Sequence, residues 1–219
     1  MSNITSIKEG CDLGKNRFGD VHILINNAGI VSGKTTMELD EAEINRTFYV
    51  NTISHLHTIR EFLPAMKANK KGHIVSIASM AGLIGVTGLP DYCGSKFGAI
   101  AIDETLRYEL SKSGDAPYVK TTCICPYFIN TGMFDGAKAS FPMYILDPIR
   151  VADRVIAAIR QEEAQVLIPY RGNILYLCRL LPISLADTVG GWLGMHDSMD
   201  DFKGRGGREG RMPGLDTKA

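Results

Sequence analysis

The chain has 219 residues, with 24 basic and 24 acidic side chains and therefore no formal net charge. That balance excludes general electrostatic binding of nucleic acid or of an anionic membrane. Hydrophobic residues at 45% and charged residues at 22% exclude a disordered chain and fit one folded domain.

Four short apolar runs read as strands: residues 22–29 (HILINNAG), 73–79 (HIVSIAS), 119–126 (VKTTCICP) and 165–170 (QVLIPY). Their near-continuous apolar character suggests strands covered on both faces, as in a parallel sheet. Helix-length segments lie between them. Residues 40–69 hold one or two helices, opened by a capping box from Asp40 to Glu43. Pro64 is expected to kink or shorten the second of these. Residues 91–113 form another helix, and 148–162 a further one, with Asp147 ahead of Pro148 at the first helical position. Alternating strands and helices predict an open α/β fold built from βαβ units.

Bilayer crossing needs about 18–20 consecutive apolar residues. The nearest approach, residues 172–195, is interrupted by Arg179, Pro182 and Asp187, so no span is expected. The first residues, MSNITSIKEGCDLGKN, lack the apolar core of a signal peptide. Five cysteines without a framework spacing point to a reducing compartment, and Cys123 and Cys125 to buried thiols. His55, His57 and His73 have no metal-ligand spacing. The stretch 203–211 (KGRGGREGR) is Gly-rich and basic, and residues 203–219 are expected to form a flexible tail after a domain spanning 1–202.

The chemistry is concentrated in a few positions. Tyr92 and Lys96, four apart in a helix, share one face. An ammonium beside a phenol stabilises the phenolate and suits the pair to general acid–base work. Ser79 ends the second strand, thirteen residues before Tyr92. Active sites of open α/β sheets lie beyond the carboxyl ends of their strands. Asn26, Ala28 and Gly29 close the first strand at that edge, Pro126 closes the third, and Ile129 and Thr131 follow it. Asn51 falls in the helical region after the first strand.

Taken in order, these residues resemble the short-chain dehydrogenase/reductase superfamily. Asn26-Asn27-Ala28-Gly29 resembles the segment that stabilises the family's sheet beside the adenosine. Asn51, Ser79, Tyr92 and Lys96 match its catalytic tetrad. The stretch 126–133 (PYFINTGM) resembles its Pro-Gly-x-Val/Ile-x-Thr segment beside the nicotinamide, with Tyr127 where glycine is usual. LPDYCGSKFGAIAIDETLRYEL, CPYFINTGMF and LGMHDSMDDF are similar to the membrane-associated branch of retinol and 17-beta-hydroxysteroid dehydrogenases, over residues 2–202.

The resemblance implies a Rossmann-like, doubly wound parallel sheet and hydride transfer with NAD or NADP, NAD being slightly preferred. It implies that Tyr92 is the acid–base group, that Lys96 lowers its pKa and holds the ribose, that Ser79 binds the reacting oxygen and that Asn51 holds a water. Asn26, Ala28, Gly29, Pro126, Ile129 and Thr131 would join Tyr92 and Lys96 around the cofactor. The substrate would be a small apolar alcohol or ketone, a retinoid first and a 17-beta-hydroxysteroid second. Phe134, Phe141, Met143, Tyr144, Ile145 and Leu146 match a mobile lid. Residues 175–193 would cover the pocket or make peripheral membrane contact, and a homodimer would form through the 91–113 helix. The compartment implied for the whole enzyme is the cytoplasmic face of the endoplasmic reticulum or a lipid droplet, and the cytoplasm for this chain alone.

The family's Thr-Gly-x-x-x-Gly-x-Gly turn, which seats the pyrophosphate on a helix N-terminus, does not occur in these 219 residues. The strand at 22–27 corresponds to the family's fourth. The resemblance therefore implies three missing strands, with Met1 matching an internal position. It also implies an unpaired edge at 22–27, weak cofactor binding and little activity by this chain alone. The reading from another class is a non-catalytic chain that pairs with a full-length dehydrogenase.

Overall fold

The structure is a computed structural model that describes residues 3–140 and 142–204. Four strands, β1 (Ile23–Asn26), β2 (Gly72–Ile77), β3 (Val119–Pro126) and β4 (Gln165–Ile168), pair in parallel in the order β1-β2-β3-β4. The α/β parallel sheet expected from the alternating pattern is thus present. The segment beyond residue 204, with most of the expected tail, and Phe141 lie outside the described residues.

The first helix, α1 (Ile4–Phe18), was not legible in the pattern. Gly10 and Gly14 lie inside it, and glycine disfavours helix interiors. Only Ile7 and Cys11 are buried, and the helix packs against α3 (Ser54–Ala68). Between β1 and β2 the chain forms α2 (Glu41–Phe48), then a π-helical turn at Tyr49–Ile53, then α3. Asp40 caps α2 in a full capping box with Glu43. Pro64 does not shorten α3, which continues to Ala68. The proline removes one hydrogen bond to the Arg60 carbonyl, and both residues are exposed, where water can take its place.

The long helix α4 (Pro90–Ser113) joins β2 to β3 and ends on Gly114 in the left-handed conformation (φ 78°), a conformation suited to glycine. It is followed by α5 (Pro148–Arg160), capped by Asp147 with Pro148 in the first turn. The apolar stretch at 175–193 is two helices, α6 (Ile174–Cys178) and α7 (Ile183–Trp192), because Pro182 stands between them. No helix among the described residues is long and apolar enough to cross a membrane.

Two cores sandwich the sheet. On one face Ile74 and Val119 pack with Ile59 and Met66 of α3 and Leu106 and Leu110 of α4. On the other, Val75 and Ile124 pack with Val151 and Ala158 of α5. β2 and β3 are buried on both sides, as their unbroken apolar sequence predicts. β1 is the sheet edge, and its Ile23 and Ile25 are about half exposed (51% and 49%). The segment around Phe202 folds back over Gly33, where any Cβ would strike the Phe202 ring.

One buried acid lies between α4 and the sheet. The Asp103 carboxyl meets Ser76, Thr121 and Arg107, and burial pushes its pKa up to about 7. The unfolded value is about 3.9. The folded chain therefore holds a proton that the unfolded chain has lost between those values. Stability falls as pH rises through that window, and the full cost remains above pH 7. Asp103→Asn is expected to raise unfolding stability at pH 8 by on the order of 2 kcal/mol, with little change at pH 4. Urea unfolding at both values checks this, and an unchanged midpoint at pH 8 refutes it.

Candidate active site

Three loops from the carboxyl ends of β1, β2 and β3 meet at the N-terminal half of α4. Ser79 follows β2 and is held in an extended conformation (φ −171°) by a short 3-10 turn, whose Ala81 N–H donates to its Oγ (3.1 Å). Its hydroxyl also lies 3.4 Å from the Pro126 carbonyl. Tyr92 and Lys96 project from one face of α4 and are buried (5% and 3% exposed). The Tyr92 ring meets Phe134 edge-on at 5.5 Å, and its hydroxyl is hydrogen-bonded to Ser79.

The electrostatics differ from the sequence-based expectation in one respect. Burial pushes the Tyr92 phenol above its ordinary value, and only the Ser79 hydrogen bond works against it. The Lys96 ammonium does not lower it here: Nζ donates to the Ile77 carbonyl (2.8 Å) and lies 5.7 Å from the Tyr92 ring centroid. Desolvation brings Lys96 itself down to about 8. It has no salt-bridge partner among the described residues.

Asn51 sits in the π-helical turn and is fully buried. Its Oδ1 accepts the Ile30 N–H (2.8 Å), and its Nδ2 donates to the Ile30 carbonyl (2.9 Å) and to Ser95 Oγ (2.9 Å). Both amide protons are therefore used, and the side chain acts as a clamp between the β1 loop and α4. A water bound to this side chain would have to donate to the second lone pair of Oδ1, since both amide protons are taken. π-Helical turns of this kind are frequent at functional sites.

An open cleft of about 520 Å³ runs along this edge. Ala28, Gly29, Ser79, Tyr92 and Lys96 line one part, and Pro126, Ile129 and Thr131 another. Asn26 is not part of it. Its side chain turns inward, where Oδ1 accepts from Thr58 Oγ1 (2.7 Å) and ties β1 to α3. A Cβ on Gly29 would lie 3.5 Å from Asn51 Oδ1 and 3.6 Å from Lys96 Nζ, so the backbone there passes close to both. A narrow, mainly apolar cavity adjoins the cleft at Ser79, walled by Ile84, Val86, Met143, Leu175 and Leu193.

A serine hydroxyl, a buried phenol and a buried ammonium in sequence along such a cleft match the order Ser79, Tyr92, Lys96 read from the chain. A profile of the short chain dehydrogenase family matches residues 1–140. The chain belongs to the short-chain dehydrogenase family. It is 42% identical to epidermal retinol dehydrogenase 2 of Mus musculus over 198 residues, covering 89% of this chain and 63% of that protein. It is 39% identical to estradiol 17-beta-dehydrogenase 11 of Homo sapiens over 184 residues, covering 83% and 60%. This short-chain dehydrogenase thus spans less than two thirds of the length of these curated relatives. The fold is similar to that of 4-hydroxyisoleucine dehydrogenase complexed with NADH, with a TM-score of 0.66 at 20% identity, covering 77% of each chain.

Ser95 escaped the sequence reading, and Tyr127 entered it only as a departure from the usual glycine. Ser95 accepts from Asn51 and donates to the Tyr92 carbonyl (2.7 Å), linking the two. Its position directly before Lys96 was the available signal. Tyr127 lines both cleft and cavity, and its hydroxyl accepts the Ser140 N–H (2.8 Å). Of the expected lid, Met143 reaches the cavity, Phe134 packs on Tyr92, Leu146 is buried in the core, and Tyr144 and Ile145 are exposed.

Proposed function

We propose that this chain carries the catalytic half of an NAD(P)-dependent dehydrogenase that interconverts an apolar alcohol and its carbonyl compound. The reading is carried by the convergence of Ser79, Tyr92 and Lys96 where an open, partly polar cleft meets an apolar cavity. A buried ammonium with no carboxylate partner among the described residues, beside the close backbone at Gly29, fits the hydroxyls of a nicotinamide ribose. Ala28, Pro126, Ile129 and Thr131 would line the rest of the bound cofactor, which supplies or accepts the hydride.

Tyr92 passes a proton to or from the substrate oxygen. Ser79 donates a hydrogen bond to that oxygen and stabilises charge as it develops. Lys96, with a pKa near 8, holds the ribose and relays the Tyr92 proton toward solvent. All-trans-retinol and retinal are the substrates favoured by the apolar walls and by the kinship with epidermal retinol dehydrogenase 2. Kinship with estradiol 17-beta-dehydrogenase 11 favours a 17-beta-hydroxysteroid as the second candidate.

Three further assignments belong to the same reading. Leu177, Leu180, Ile183 and Trp192 are exposed on α6, α7 and the link between them, which favours peripheral contact with a lipid surface of the endoplasmic reticulum or a lipid droplet. Leu56 of α3 and Ala101 and Ile102 of α4 line an open groove, which favours a homodimer through these helices. Residues up to 202 act as one catalytic unit.

Thermal unfolding with saturating NADH or NADPH, followed by assays of retinol and estradiol oxidation, tests the reading. The 219 residues alone lack the pyrophosphate turn, so the expected shift is below the roughly 2.7 kcal/mol of a site filled at 100 times its dissociation constant. A measurable shift with either nucleotide, together with slow retinol oxidation, supports the assignment. No shift and no turnover favours the non-catalytic pairing reading.

A further inference from the structure

Tyr127 stands at a junction. It directly follows the last residue of β3, and its ring packs on Phe128 at 4.6 Å between centroids. It is one wall of the polar cleft and also one wall of the apolar cavity, so the two spaces meet across its side chain. Its hydroxyl reaches over the cavity and accepts the backbone N–H of Ser140 at 2.8 Å. Ser140 is in turn held from the other side, where its Oγ donates to the Gly194 carbonyl at 3.0 Å. Lys138, two residues earlier, donates its N–H to the Ser198 carbonyl at 2.8 Å. The segment over the cavity is thus tied both to the sheet edge and to the C-terminal turn, and the cavity beneath it is narrow.

We infer that Tyr127 is a specificity-determining residue: its ring partitions the cleft from the apolar cavity, and its hydroxyl latches the segment at Ser140. An elongated apolar alcohol enters only when the Tyr127–Ser140 hydrogen bond opens, whereas a short alcohol reaches Ser79 and Tyr92 from the cleft. This rests on the dehydrogenase reading for the substrate's identity, but the latch itself is testable without turnover.

Tyr127→Phe keeps the partition and removes the hydroxyl. Loss of one such hydrogen bond is expected to change the opening equilibrium by about two- to tenfold. Tryptic cleavage after Lys138, which is exposed, should accelerate by that factor, and all-trans-retinol, followed by its own fluorescence, should bind faster by a similar factor. A thermal melt confirms that the variant is folded. Tyr127→Gly removes the partition as well, and in an active preparation it should raise the rate on retinol relative to 2-butanol, an unchanged ratio counting against the partition. Cleavage and retinol-binding rates equal to the parent's in Tyr127→Phe overturn the latch, as does a parent chain that binds no retinol. Faster cleavage and binding without any turnover would leave the latch standing and sink the dehydrogenase reading.

Discussion

The Lys96→Met chain is expected to unfold at a higher temperature than its parent at pH 7. Lys96 is 3% exposed and, among the described residues, has one hydrogen bond, to the Ile77 carbonyl, in place of water. Desolvation holds its folded pKa at about 8, well below the unfolded value of about 10.4. Below pH 8 the buried residue is charged in both states, and the full desolvation cost is present. Between those two values the unfolded chain binds a proton that the folded chain does not, so stability rises with pH, and above them the cost vanishes. The shift corresponds to on the order of 3 kcal/mol, from which about 1 kcal/mol is subtracted for the hydrogen bond to Ile77 that methionine cannot make. A net gain of roughly 2 kcal/mol raises Tm by about 4–8 °C in a chain of this size. The gain should shrink steadily from pH 8 to pH 10. The same variant should lose the nicotinamide-dependent thermal shift, because the proposed ribose contact is gone. A chain equally stable at pH 7, or one whose gain persists at pH 10, would mean the lysine is not held at a cost. Burial of an unpaired ammonium in a fold that gains nothing from it is the mark of a residue kept for chemistry.

Tyr92→Phe is the complementary case, with a large effect on rate and little on stability. The ring's packing on Phe134 and in the core around Leu89 and Phe128 is unchanged by loss of the hydroxyl. Only the hydrogen bond with Ser79 goes, so the melting temperature should move by no more than about 1 kcal/mol allows. Removal of a positioned acid–base group costs about 10²–10⁴ in turnover. The expected kcat for retinol oxidation therefore falls by that factor, with KM nearly unchanged. Because burial pushes the phenol up, the parent's rate should rise with pH through and beyond neutrality as the phenolate becomes accessible. The variant should show no such rise. A variant with the parent's rate and pH profile would remove Tyr92 from the chemistry and leave it as a packing residue.

Both predictions concern residues that were visible in the chain as letters at fixed spacing. The strands β2 and β3 were equally visible, because a strand buried on both faces must be apolar at nearly every position. The capping box at Asp40 and Glu43 and the Asp147-Pro148 start of α5 could be read locally, since a cap is satisfied within three residues. The helix α1 could not, because its two glycines dilute the pattern and its contacts come from α3, far along the chain.

The function of Asn51, Asn26 and Tyr127 depended on which groups tertiary folding placed beside them. Asn51 was recognised by position, yet its amide is consumed by Ile30 and Ser95, which lie 21 and 44 residues away. Asn26 was grouped with the cleft by sequence adjacency to Ala28 and Gly29, but alternation along β1 turns it toward Thr58. Tyr127 was noted as a departure from glycine, and only its bond to Ser140 reveals what the hydroxyl does. The sheet was legible from the apolar runs and their spacing, and the order of Asn51, Ser79, Tyr92 and Lys96 was legible as the family resemblance that implies the reaction class. The ionisation of Tyr92 and Lys96 and the closure of the apolar cavity were not, because desolvation and long-range hydrogen bonds exist only once distant segments have packed together.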